Sequence, residues 1–392
     1  MSSRPRYVIL DALRGFAILG ICLANFPEFS LWTFADPASH PASDRVVQAL
    51  LTFFVDGKFY TLFSILFGIG FSIQLDNADG RLRTFYRRMG VLFGIGLLHL
   101  LFLWSGDILM LYAAMGMLLP LFRRCPTRRM LTTAGVLLLL PVLSDAVLGG
   151  SLSDPIETAQ WRICSLYGIT EANFGTWLRD ASSYREVFQF LQQGAVERMW
   201  EFVSSHRYFK VLGLFLIGFA IGRERIYADL PGRRALLRKV FLLGLGLGLP
   251  VSVLYTLSAV GAHPWGTVAH SVLYLLSVYP MGLAYAAGFC LLYERSADAA
   301  LWKVFSRPGR VACTNYLMQS LLGVLLFYGI GLGLGAGVTL AQTEAIALGV
   351  YALEVLASHL WLRYFRYGPV EWLWRMLTYA QPLPLLRERD RG

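Results

Sequence analysis

The chain is 392 residues long, 56% hydrophobic and 15% charged, with a positive mean hydropathy, which points to a polytopic membrane protein. Its net charge of +10 does not indicate a nucleic-acid partner, because the basic residues sit in short clusters between apolar runs, as membrane topology signals do. Cys22, Cys125, Cys164, Cys290 and Cys313 are scattered and odd in number, so the sequence shows no disulfide framework, no zinc spacing and no reason to expect a metal.

Apolar segments of about twenty residues, the length that crosses a bilayer, fall near 8–26, 50–75, 84–104, 107–122, 130–149, 207–222, 238–260, 268–292, 311–333 and 338–361. The expected fold class is all-α, a transmembrane helical bundle of about ten spans. Arg4 and Arg6 before the first span imitate a secretory signal, but Asp11 and Arg14 interrupt the apolar segment such a signal needs, so the first helix is expected to be retained. A charge inside a span is costly unless paired or turned to a polar cavity. Asp11 and Arg14 are three residues apart and able to pair, and Asn25 lies on the same helical face. A pair snorkelling to the membrane interface is the plainer alternative.

Threading ten spans puts the clusters Arg81 to Arg88, Arg123 to Arg129, Arg223 to Lys239 and Arg295 to Arg310 on one side, with Arg4, Arg6, Arg363, Arg366 and Arg375. The positive-inside rule makes that side cytoplasmic, along with both termini. The expected organisation is five spans within 1–149, an extracytoplasmic insertion over 150–206, five spans within 207–362 and a cytoplasmic segment over 363–392. Inside the insertion, Ser153 to Glu157 reads as a helix start, and the aromatic residues from Trp161 to Phe202 alternate with charges. That pattern suits amphipathic helices at the outer membrane surface, either a lid over a cavity or an inert platform. The runs Gly244-x-Gly246-x-Gly248 and Gly329 to Gly337 lack the strand and the Lys-Ser/Thr of a phosphate loop, so close helix packing is the expectation for them.

Several stretches together resemble the YeiB-like bacterial membrane proteins. They are Asp11-x-x-Arg14-Gly15, Gly57-Lys58-Phe59 with Leu62 to Gly68, His99 followed by Gly106-Asp107 and Tyr112, Thr314-Asn315-Tyr316 with Gln319, and Arg363 to Arg366 leading into Gly368 to Arg375. The first motif is also loosely similar to the start of membrane acyltransferases that modify surface polysaccharides and of heparan-α-glucosaminide N-acetyltransferase. The resemblance implies a multi-pass protein of the bacterial inner membrane that moves an acyl group from cytoplasmic acyl-CoA, acetyl-CoA for instance, to an outward acceptor. One departure stands out: the polysaccharide acyltransferases carry a histidine eleven residues after the arginine, where this chain has Asn25, which cannot act as a base at neutral pH.

The expected catalytic pair is therefore His99 as general base, oriented by Asp107 across the Gly106 turn. A satisfied core histidine is the plain alternative. Asp11, Asn25, Asp56, Lys58 and His270 are expected to line a polar cavity. Arg14, Arg87, Arg88, Asn315 and Gln319 are expected to form a basic mouth for the anionic donor, although cytoplasmic arginines beside anionic lipid would give the same pattern. Membrane lipids, a small-molecule, lipid or glycan acceptor and a second copy of the chain in a homodimer are the expected partners. A transporter or a lipid or small-molecule binding protein, using the same cavity without covalent chemistry, is the alternative from a different class. A structural or regulatory membrane subunit is a third.

Overall fold

The computed structural model describes residues 7–35, 40–77, 82–148 and 154–387; Arg4, Arg6, Arg81 and the helix-start candidate Ser153 lie outside them. The described residues form α-helices and no strand beyond an isolated bridge between Phe365 and Leu386. The first half of the chain holds α1 (Val8–Phe29), α2 (Ala42–Phe54), α3 (Lys58–Asn77), α4 (Leu82–Phe102), α5 (Leu109–Gly116) and α6 (Thr127–Leu148). The insertion folds as α7 (Asp154–Tyr167), α8 (Glu171–Phe174), α9 (Trp177–Asp180) and α10 (Tyr184–Ser204). Then come α11 (Arg207–Arg223), α12 (Arg234–Val260), α13 (Thr267–Arg295), α14 (Leu301–Arg310), α15 (Ala312–Phe327), α16 (Leu340–Tyr364) and α17 (Pro369–Tyr379).

Seven of the ten expected segments are helices long and apolar enough to cross a membrane among the described residues. The other three differ from a simple span. Leu109–Phe122 is short, α11 has 17 residues, and the ninth segment holds only the 16-residue α15, which passes the same test only together with α14, outside that segment, and meets it at an 83° bend. α12 and α16 expose rows of leucine, including Leu242, Leu243 and Leu257 on one and Leu348, Leu353, Leu356 and Leu360 on the other. Apolar rows of that extent on the outside of a bundle are what lipid contact requires.

Helix crossings are set by glycine. A Cβ placed on Gly15 would lie 1.9 Å from the Phe305 carbonyl oxygen, and one on Gly309 would lie 1.8 Å from that of Asp11, so α1 and α14 meet backbone to backbone. Gly68 and Gly218 give α3 and α11 the same intimacy, at 2.1 and 2.0 Å from each other's helix carbonyls. Without a hydrophobic drive inside lipid, such close approach is the main source of helix association. The expectation of packing glycines holds for Gly244 and Gly248, which face Pro280 and Met281 of α13. It fails for Gly329 to Gly337. This run is a loop, because α15 ends at Phe327 and the chain turns through Gly333 at φ +63°, with Gly329 N donating to Leu178 O and Ala336 N to Ser30 O.

The ends of the bundle differ in character. At one end the Arg223 guanidinium donates to the carbonyls of Cys125 at 2.5 Å and Arg123 at 2.7 Å. At the same end Arg88 stacks on Trp374 of α17 at 4.4 Å, and Arg307 donates to His359 O at 3.3 Å. The opposite end is covered by the insertion, where Tyr184 Oη donates to Phe102 O at 2.6 Å.

Candidate functional site

Under the insertion lies a cavity of about 610 Å³, where the ends of α1, α4, α6 and α12 meet α10, α11 and the start of α13. Asn25 and Glu28 enter it from the last turns of α1, and Asp56 enters from the break between α2 and α3, where Gly57 holds φ +70°. A chain of alternating charges crosses its upper wall. Arg198 of α10 donates from Nε to Ser105 O at 2.9 Å and from Nη2 to the Glu28 carboxylate at 3.3 Å, while Nη1 reaches Glu201. Arg207 opens α11 and pairs with the other Glu201 oxygen at 2.5 Å. Burial opposes the charge on Glu201, but Arg207 and Arg198 outweigh it and hold this carboxyl below the usual carboxylate range. The network thus ties the insertion to α1, to α11 and to the connector after α4.

The rest of the wall is aromatic and polar. Lys210 sits over the Tyr274 ring at 4.3 Å, Tyr255 Oη donates to Asp56 at 2.5 Å, and Ser271 Oγ donates to Asp145. His270 meets Ser258 Oγ at 3.1 Å through Nδ1, and its ring lies 3.8 Å from that of His263. Acidic, basic and imidazole groups around one concavity suit a polar or zwitterionic ligand, with tyrosine faces for its apolar parts.

His99 ends α4 behind this wall. Its Nδ1 is 2.9 Å from Asp107 Oδ1, and its Nε2 is 2.9 Å from Ser320 Oγ on α15. The other Asp107 oxygen accepts from Met110 N at 2.8 Å and so anchors the start of α5. The Trp104 and Tyr316 rings flank His99, with centroids 6.0 and 5.3 Å from it, and both also face the cavity. The structure therefore brings His99 and Asp107 together, and adds a serine at the second ring nitrogen.

The remaining expected residues divide. Asn25, Asp56 and His270 line the cavity. Lys58 does not, because its ammonium is buried and donates to Thr52 O at 2.7 Å over the Tyr255 ring. Asp11 does not either, because fourteen residues along α1 place it about 21 Å from Asn25. It meets Arg14 Nη1 at 3.0 Å, with Arg14 still 31% exposed. The expected basic mouth is only partly drawn together. Arg14 and Arg88 lie near enough to sense each other's charge, while Arg87 faces outward. Asn315 donates to Ser358 Oγ at 3.2 Å and Gln319 to Glu354 at 2.8 Å, so both are spent on α16. Glu28, Arg198, Glu201, Arg207, Lys210 and Ser320 are the additions; Arg207 and Lys210, two cations in the first turn of an apolar helix, are the one sequence signal that could have pointed to them.

Residues 221–381 match a family described as protein of unknown function (DUF418). Over nearly its whole length the chain is similar to three bacterial proteins. It is 30% identical to "Uncharacterized protein YxaH" of Bacillus subtilis (strain 168), across 98% of this chain and 97% of that one. It is 29% identical to an "Uncharacterized 39.9 kDa protein in amylase 3'region" of Bacillus acidopullulyticus, across 97% and 96%. With "Uncharacterized protein YeiB" of Escherichia coli (strain K12) the identity is 31%, across 98% of this chain and 100% of that one. No solved structure matches.

Proposed function

We propose a function from one premise, that the chain belongs to the YeiB-like family: it is an inner-membrane acyltransferase that passes an acyl group from cytoplasmic acyl-CoA to a hydroxyl or amine held in the cavity under the insertion. In this proposal ten spans place both termini and the arginine-rich end in the cytoplasm, and 150–206 forms the outer lid between two sets of five spans. The arginine loops gathered at one end support that orientation.

One observation carries the proposal: a buried His99–Asp107 pair, 2.9 Å apart, set one aromatic ring behind a large polar cavity. A carboxylate on one imidazole nitrogen leaves the other, here beside Ser320 Oγ, as the proton acceptor, the arrangement that general-base catalysis needs. Lipids and glycans are the acceptors that an outward cavity with tyrosine faces and mixed charge would suit. The alternative, binding or transport of a polar solute without chemistry, is favoured by the separation of His99 from the cavity wall. Titration calorimetry of the full-length protein in detergent with acetyl-CoA separates them. Heat of binding that is lost in Arg14→Gln supports the transferase, and no binding at millimolar donor removes it.

A further inference from the structure

We infer that Ser320 is a nucleophile that carries the acyl group covalently, an inference that rests on the acyl-transfer proposal above. Ser320 Oγ, His99 and Asp107 form one line of hydrogen bonds, 2.9 Å at each step, and are 1%, 3% and 1% exposed. The direction of that line follows from Asp107. It accepts from Met110 N at one oxygen and faces His99 Nδ1 with the other, so as an acceptor at both oxygens it fixes the proton on Nδ1. Nε2 then presents its lone pair, and Ser320 Oγ–H is the donor to it. The competing acceptor, the Tyr316 carbonyl one turn back on α15, is farther away at 3.3 Å. Serine, imidazole and carboxylate therefore stand in the relation that activates a hydroxyl for attack on an acyl carbon.

A serine carrier also resolves a geometric difficulty of the proposed reaction. The arginine end, where an anionic donor would enter, and the cavity under the insertion lie at opposite ends of the bundle, and Ser320 lies midway along α15, whose start packs on α17 through Thr314 and Glu371 and whose end meets the insertion through Gly329 N and Leu178 O. In the first half-reaction Ser320 Oγ attacks the thioester carbonyl, its proton passes to His99 Nε2, the carbon–sulfur bond breaks, and the proton leaves on the coenzyme A thiol. In the second, His99 takes the proton of the acceptor hydroxyl or amine, the acceptor attacks the serine ester, and the proton returns to Ser320 Oγ. Atoms and charge balance with no other reactant. Donor and acceptor need never occupy the protein together.

The test uses the full-length protein in detergent with acetyl-CoA and no acceptor, read by peptide mass spectrometry for a hydroxylamine-labile acetyl group and by release of free thiol. In parallel, a serine-reactive fluorophosphonate probes the nucleophile without any donor. Acetyl and phosphonate on Ser320, both absent from Ser320→Ala, are the expected results. Asp107→Asn, which removes the group that fixes the tautomer, slows both by about 10²-fold or more, whereas Ser320→Cys, which keeps a nucleophile there, restores acetyl as a thioester. Because the readout is on the protein itself, folding of each variant is checked separately by its gel-filtration profile. Acetyl-CoA bound or consumed with nothing on Ser320 overturns the inference and leaves the transferase standing. Phosphonate on Ser320 without binding of acetyl-CoA keeps the nucleophile and removes the donor. Neither label and no binding removes both.

Discussion

The crossing of α1 and α14 permits a sharp test, because it depends on two missing methyl groups. Alanine at position 15 would put its Cβ 1.9 Å from the Phe305 carbonyl oxygen. Ordinary contact begins near 3.5 Å, so α14 must retreat by about 1.6 Å, which is most of the depth of a van der Waals contact along the whole interface. The obstacle is backbone on the far side, so no rotamer change relieves it. Overpacking of this kind costs about 1–3 kcal/mol, and this site belongs at the upper end. The matched control is Gly246→Ala on α12, where nothing lies within 4 Å of the added carbon. There the helix-favouring methyl is neutral or stabilises by about 0.5–1 kcal/mol. Gel-filtration thermal melts of detergent-solubilised fluorescent fusions compare the two. The melting temperature should fall by several degrees for Gly15→Ala and hold or rise for Gly246→Ala. Equal melts for both variants would refute the backbone-to-backbone crossing.

Other outcomes follow from the same contacts. Arg14→Ala removes an ion-pair partner of the buried Asp11 carboxylate and should lower stability by about 1–3 kcal/mol, more than the paired change Asp11→Asn with Arg14→Gln, as measured by the same melts. Glu371 of α17 accepts from Cys313 N at 2.7 Å, Thr314 N at 3.1 Å and Thr314 Oγ1 at 2.5 Å, capping α15. Glu371→Ala should therefore cost about 1–2 kcal/mol, and wild-type melting would exclude the cap. The depressed Glu201 carboxyl stabilises the fold above its unfolded value of about 4.3 and ceases to do so as it protonates, so the melting temperature should drop on acidification below that value in wild type and less in Glu201→Gln. Reporter fusions after residues 126, 230 and 300 should read as cytoplasmic and fusions within 155–200 as external; the reverse would overturn the orientation.

Much of the bundle was legible because its signals are local. Runs of apolar residues and the arginines between them need only neighbours in the chain, and seven of ten expected segments are helices of spanning length. The His99–Asp107 contact was legible for the same reason, since a helix end and one tight turn bring the two together. What escaped depends on distant pairing. Ser320 reaches His99 across 221 residues, and Glu28 reaches Arg198 across 170. Each of these residues alone reads as an interfacial charge or a small polar residue in a helix, and no period in the sequence distinguishes a partnered one. The bend between α14 and α15 escaped because Leu301 to Arg310, with Lys303, Arg307, Pro308, Gly309 and Arg310, reads as a basic loop ahead of the ninth span; it is helical instead, and the chain breaks at Val311, φ −118° and ψ 35°.

The place of Arg198 links these two sets of contacts. Its guanidinium binds the Ser105 carbonyl, and Asp107 lies only two residues further along the same connector, with Gly106 between them packed on the Trp104 ring. The insertion therefore does more than roof the cavity: it grips the short segment whose next polar residue holds His99. In the proposed reaction, a displacement of α10 that admits the acceptor would pull on Ser105, and with it on its neighbours in the connector, Trp104 between cavity and imidazole and Asp107 at the imidazole itself. Half-buried ion pairs such as those of Glu28, Arg198, Glu201 and Arg207 contribute only modest net stability, because desolvation offsets much of their attraction. Their arrangement is better explained by this connection, in which α10 and the His99–Asp107 pair share one six-residue link between α4 and α5.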